Sequence, residues 1–145
     1  MPSLNRSLNV IGRCGILFRA RHLENTGVDP FNYFYLFHIC RNPGSSQEAL
    51  CRALHVNKSS VTRHLAHLEA EGLLRREQDP DDRRALLVYP TDKAEALLPL
   101  LREVGSNWRA ALTDGFTAEE TETFERLLRR AMENAAIAVQ REETL

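Results

Sequence analysis

The sequence predicts a mainly α-helical fold with a small β-ribbon, and three observations carry that expectation. Apolar residues recur at helical spacing through most of the chain. Two short β-prone segments, residues 73–77 and 85–89, flank a polar turn, Asp79-Pro80-Asp81-Asp82-Arg83-Arg84. Between residues 45 and 71 two short helical patterns are separated by His55-Val56-Asn57. At 145 residues the chain fits one compact domain with a sizeable core.

The first helix is expected over residues 4–24, with Leu4, Leu8, Ile11, Cys14, Gly15 and Phe18 on one stripe. Asn25-Thr26-Gly27 closes it, Gly27 supplying the left-handed conformation a helix end often takes. Asp29-Pro30 reads as N-cap and first helical position of a second helix over residues 31–41. Its five aromatics lie on several sides, which makes it central. Asn42-Pro43-Gly44 breaks the chain. Ser45-x-x-Glu48 reads as a capping box opening a third helix with Ala49, Leu50, Ala53 and Leu54 inward.

Asn57 caps a fourth helix over residues 58–71, whose seam is Val61, Leu65 and Leu68, and Gly72 ends it. After the ribbon, Thr91 caps a fifth helix over residues 92–113, with Ala96, Leu97, Leu100, Leu101, Val104 and Trp108 as its seam. Thr117-x-x-Glu120 is a second capping box, opening a last helix to about residue 140 with Phe124, Leu127, Leu128, Ala131 and Ala135 in line.

Net charge is −1, which does not advertise a nucleic-acid binder. The charge is unevenly spread: residues 1–45 carry +3, residues 46–90 zero and residues 91–145 −4. Within 49–76, Arg52, Lys58, Arg63, Arg75 and Arg76 stand against Glu69 and Glu71. A local basic face suffices for DNA, because phosphate attraction decays within about a Debye length, ~8 Å at physiological salt. No apolar run approaches the ~18 residues of a membrane span. The N-terminus has no long apolar core or A-x-A-like site of a secretory signal. Cys14, Cys40 and Cys51 are odd in number and widely spaced, so reduced thiols and a cytoplasmic location are expected.

Opposite its apolar seam, the fourth helix presents Ser59, Arg63 and His67, with Ser60 and Thr62 beside them. Small residues allow close approach to base edges, Ser and Thr can bond a base or phosphate, and Arg63 can pair bidentately with guanine. Lys58 stands where the helix N-terminus offers free N–H groups to phosphate. An isolated polar helix face is more often plain solvated surface; here the preceding helix, the turn and the ribbon all fit a winged helix-turn-helix. At the wing tip, Asp82 and Arg84 fall on one face of an extended backbone. Asp82 is expected to hold the Arg84 guanidinium for entry into a narrow minor groove.

These motifs resemble the MarR family of winged helix-turn-helix transcription regulators. The resemblance rests on Val56-Asn57-Lys58-Ser59-Ser60-Val61-Thr62-Arg63, on Leu68-Glu69-Ala70-Glu71-Gly72-Leu73-Leu74-Arg75-Arg76 and on the wing tip. The helix order elsewhere also fits, including Thr117 to Glu120. Two departures follow the wing. Pro90-Thr91-Asp92-Lys93-Ala94 replaces the family's L-T-x-x-G, and Pro90 is expected to end the second strand early.

The resemblance implies a homodimeric, sequence-specific repressor of transcription that binds double-stranded DNA at a pseudo-palindromic operator. Residues 1–29 and 92–145 would form the dimerisation region around a winged domain at 30–91. Lys58, Ser59, Ser60, Thr62, Arg63, His67, Asp82 and Arg84 would contact DNA. It also implies a small aromatic or phenolic effector, with Arg13, Arg21, His22, Tyr33, Tyr35 and His38 as candidate contacts. A peroxide-sensing branch of the family uses a Cys near the start of the first helix, where Cys14 stands. On an apolar stripe, however, a buried structural thiol is the expectation for Cys14. A protein-interaction module is a further alternative, against which the small basic face of the fourth helix argues. No H-E-x-x-H, G-x-S-x-G, Walker or Rossmann pattern is present, and no enzyme activity, cofactor or metal is expected.

Overall fold

The computed structural model describes residue 1 and residues 3–143; positions 2, 144 and 145, at the ends of the terminal segments, lie outside the described residues. The element order is α1 (Leu4–His22), α2 (Tyr33–Arg41), β1 (Ser45–Ser46), α3 (Gln47–Leu54), α4 (Lys58–Ala70), β2 (Leu74–Gln78), β3 (Leu86–Pro90), α5 (Asp92–Leu112) and α6 (Ala118–Glu143). This is the mainly α fold with a small sheet that the sequence predicts. The chain divides into two compact units, Met1–Trp108 and Arg109–Leu145.

The core of the first unit is made where helical and strand periodicities meet. Leu36 and Ile39 from α2, Leu50 from α3, Val61, Leu65 and Leu68 from α4, Val88 from β3 and Leu101 from α5 are all fully buried. Each such side chain contributes ~1.5–3 kcal/mol by leaving water. The aromatic α2 is central on one side: Tyr33 and Tyr35 are buried, while Phe34, and Phe31 in the turn before the helix, stay half exposed. The seams of α3 and α5 differ in one residue each. Ala53 and Ala96 are exposed, and Cys51 and Ala94 turn inward instead.

The sheet is antiparallel with order β1-β3-β2, so the ribbon carries a third, two-residue strand that the sequence did not signal. Ser45 pairs with Val88 and Ser46 with Leu87. That pairing moves the α3 cap by one residue: Ser46, not Ser45, accepts from the Ala49 N–H, at 3.1 Å. Ser45 donates instead to the Asn42 carbonyl. The strands of the ribbon begin one residue later than expected, because the Leu73 N–H closes the end of α4 onto the Leu68 carbonyl at 2.9 Å. Gly72, at φ 71°, makes that closure possible.

Pro90 does not end β3 early; it pairs opposite Leu74 as the strand's last residue. The Thr91 N–H donates to the Leu73 carbonyl, so ladder alternation turns the Pro90 nitrogen away from β2. On that side β1 stops opposite Val88, and no ladder bond is lost.

In the second unit, the Thr117–Glu120 box forms reciprocally, with bonds of 2.8 Å and 3.1 Å. Phe116 meets Phe124 edge to face, and Arg109 donates to Glu125. On α6, Leu127, Leu128, Met132, Ile137 and Val139 are all exposed. The N-terminal half of α1 likewise leaves Leu4, Leu8 and Ile11 in solvent.

Candidate nucleic-acid interface

The α3–α4 turn fixes the orientation of the outward helix. His55 takes the left-handed conformation at φ 53°, and the Val56 N–H returns to the Cys51 carbonyl. Asn57 then accepts from the Ser60 N–H at 2.8 Å, capping α4. With Val61, Leu65 and Leu68 fully buried, the helix cannot roll, and Lys58, Ser59, Thr62 and Arg63 are left exposed on its first turns. Ser60 is half-buried at the edge of that face. The Thr62 hydroxyl donates to the Lys58 carbonyl at 2.9 Å, which leaves its lone pairs outward as acceptors.

His67 differs from the expectation that it faces outward freely. Its Nδ1 lies 2.6 Å from Asn32 Nδ2 and 3.7 Å from Asp29 Oδ2, so the ring turns back toward the start of α2. The reason is packing: the turn before α2 runs beside the C-terminal half of α4 and presents the Asn32 amide and the Asp29 carboxylate to it.

The wing tip is a turn rather than extended backbone. Asp79 accepts from the Asp81 N–H, and the Ala85 N–H donates to the Asp82 carbonyl. Asp82 does not hold the Arg84 guanidinium. Its Oδ1 accepts the Arg84 backbone N–H at 3.0 Å, and among the described residues the two side chains form no ion pair. The tight Asx turn satisfies the carboxylate locally and leaves the exposed Arg84 side chain unclaimed by it.

Lys58, Asp82 and Arg84 come together with Ser46, Gln47 and Glu48 around a groove of 370 Å³. Gln47 and Glu48 were missed because β1, which brings the start of α3 beside the wing, has no sequence signal. Two of the five basic residues of 49–76 are committed elsewhere. Arg75 lies 4.6 Å over the Tyr89 ring and donates to Glu77. Arg76 is mostly buried, its Nε 3.3 Å from Glu69 Oε2 but without the alignment of a hydrogen bond. Among the described residues, the cations of this stretch left uncommitted are therefore Arg52, Lys58 and Arg63, with Arg83 and Arg84 at the wing tip.

The expected effector contacts are not brought together. Tyr33 is buried and donates to the Leu101 carbonyl, Tyr35 is buried against His64, and His22 stacks on Phe18. Arg13 and Arg21 are exposed on α1. His38 lines a groove of 310 Å³ shared with Phe34, Phe37, Arg41, Asn42 and Leu54. Cys14 is exposed rather than buried, because none of the described residues covers its stripe, whose Leu4, Leu8 and Ile11 are exposed as well. Burial, with Glu95 adding to it, pushes the Cys40 thiol up to about 11. Among the described residues no His, Cys, Asp and Glu cluster could hold a metal, and no helix is long and apolar enough to cross a membrane.

Comparison with known proteins agrees with this geometry. Residues 26–85 match the MarR family. The chain is 34% identical over 134 residues to the HTH-type transcriptional regulator YybA of Bacillus subtilis, spanning 92% of this chain and 89% of that one. A crystal structure of MarR is 31% identical, covers 97% of this chain and 95% of its own, and superposes with a TM-score of 0.80. A MarR-family regulator from Listeria monocytogenes, complexed with 26mer DNA, is 27% identical at a TM-score of 0.88, covering 95% and 92% of the two chains. The capped outward helix, the wing and these relationships together make the chain a member of the MarR family of transcriptional regulators, a family of regulators rather than enzymes.

Proposed function

We propose that the protein is a cytoplasmic, homodimeric repressor that reads a pseudo-palindromic DNA operator with α4 and the wing. The observation that carries this is the small, polar face of α4, held outward by the Asn57 cap and a fully buried seam, beside a groove where Lys58 and Arg84 meet. Arg63 is the side chain suited to base readout. Lys58 and the free N–H groups of the first turn suit phosphate, and Arg84 suits the minor groove. The DNA complex of the Listeria relative supports the same use of the fold.

Dimerisation rests on the uncovered apolar stripes. Leu4 of α1 and Val139 of α6 are 75% and 58% exposed, more than isolated surface apolar residues need. A second copy packing on these stripes would set two α4 helices about one helical turn of DNA apart. Effector binding is assigned to the groove at His38, whose aromatic walls and Arg41 suit an aromatic anion. Sedimentation at micromolar concentration is expected to give twice the 16.5 kDa chain mass, and anisotropy titration is expected to give salt-dependent retention of duplex DNA. A 16.5 kDa species with no duplex affinity at low salt would refute the reading.

A further inference from the structure

Asn32 is a polar side chain at the heart of the α2–α4 contact, 1% exposed. Its hydrogen bonds determine proton positions in two histidines. Asp29 Oδ1 accepts the Phe31 and Asn32 backbone N–H groups, and Asp29 Oδ2 accepts Asn32 Nδ2 at 2.8 Å. A carboxylate accepts and does not donate, so the Asn32 amide nitrogen must face Asp29 and its oxygen must face the other way. That oxygen lies 2.5 Å from His64 Nδ1, which therefore carries a proton. The second amide hydrogen points to His67 Nδ1 at 2.6 Å, which must offer a lone pair. His67 is then neutral, with its proton on Nε2.

We infer that Asn32 is a positioning residue for the DNA-reading helix α4, and that a proton on His67 Nδ1 shifts α4 from the position Asn32 sets. This rests on the reading of α4 as the recognition helix. Protonation sets N–H against N–H at the Asn32–His67 contact, and the imidazolium turns to Asp29 Oδ2, already 3.7 Å away. The neutral Asn32–His67 bond is exchanged for a charge-assisted one to Asp29 in the same turn, which moves the ring and the half of α4 that carries it. The new charge is matched by Asp29, so little attraction for phosphate is gained in return.

The surroundings of His67 are consistent with this. Asp29 faces it from the turn before α2, and His64, Arg63 and Glu71 belong to its own helix or cap. The Glu71 carboxylate lies over Gly27. Tyr35 of α2 stacks on His64 at 4.5 Å, near Cys51 of α3. Burial, then Arg63 and His67, hold His64 below the ordinary histidine value against the pull of Asp29. His64 is thereby kept a neutral Nδ1–H donor to Asn32.

The test uses the full chain, wild type and His67→Gln, with a duplex selected by the wild-type protein. From about pH 7.5 to about pH 5.5, which spans the histidine range, the wild-type Kd is expected to rise about fivefold more than that of His67→Gln. Over the same range the Asn32 side-chain amide resonance in the isotope-labelled protein is expected to move in wild type and to stay fixed in the variant. Equal Kd ratios, or an Asn32 resonance that is unmoved in wild type, would overturn the inference. Absence of duplex binding at every pH would retract the DNA reading instead, and the Asn32 resonance would still decide whether the clamp responds to the proton.

Discussion

Asn57 and Ser60 join at 2.8 Å, side-chain oxygen to backbone N–H, at the point where the chain turns into α4. The contact satisfies one of the helix's orphan donors and fixes where the exposed face begins. Asn57→Ala is expected to lower stability by ~1 kcal/mol, a shift of a few degrees in thermal unfolding, while Asn57→Ser or Asn57→Asp retains most of it. An unchanged melting temperature in Asn57→Ala would show that the cap is not sustained in solution.

Tyr33 and Gly105 make a second, coupled pair. The Tyr33 hydroxyl donates to the Leu101 carbonyl at 2.7 Å, and a Cβ at Gly105 would lie 2.7 Å from the same oxygen. Tyr33→Phe is expected to cost ~1 kcal/mol. Mid-helix Gly→Ala normally gains ~1 kcal/mol, so a destabilising Gly105→Ala reports the clash with the hydroxyl. In a Tyr33→Phe background the same substitution is expected to become stabilising, which chemical denaturation of the four proteins measures as a coupling energy.

His38 and His64 are both held below the ordinary histidine value of 6.5, chiefly by burial. The folded state then binds fewer protons than the unfolded one just below that value. Stability from these groups is full above pH 6.5 and is lost as pH falls through 6.5 toward the lower folded values. Denaturation midpoints measured across that window should fall with acidification, and His64→Gln should flatten the slope. A midpoint that rises on acidification would show that the burial of these rings is wrongly read.

Arg63 and Arg84 are predicted to act differently on DNA. Arg63→Ala is expected to cost ~1–3 kcal/mol on a cognate duplex and to relax preference at one base step. Arg84→Ala should weaken all sequences more evenly and reduce the salt dependence by about one counterion. Anisotropy titrations against a set of single-base variants distinguish the two patterns.

Local signals made much of the fold legible. The α4 seam, the Asn57 cap, the Gly72 stop and the Thr117–Glu120 box all follow from spacing within a few residues, and all are found. What was not legible depends on contacts between distant segments. β1 is two residues long and exists because β3 passes beside it, and that pairing also shifts the α3 cap to Ser46. His67 is drawn inward by Asn32, a partner 35 positions away, which no helical wheel can show. Asp82 engages the Arg84 backbone instead of its guanidinium because the tip folds as a turn. Cys14 and the stripe around it are exposed, which helical spacing alone cannot tell from a stripe that is buried.

The central claim is that α4 and the wing, presented in pairs, read DNA. Selection of bound fragments from a random duplex pool tests it most directly. Enrichment of an inverted repeat with half-sites about 10 bp apart, centre to centre, is expected, and it is expected to be lost with Arg63→Ala. A pool that stays random after selection, or an enriched sequence that Arg63→Ala binds as well as wild type does, would contradict it.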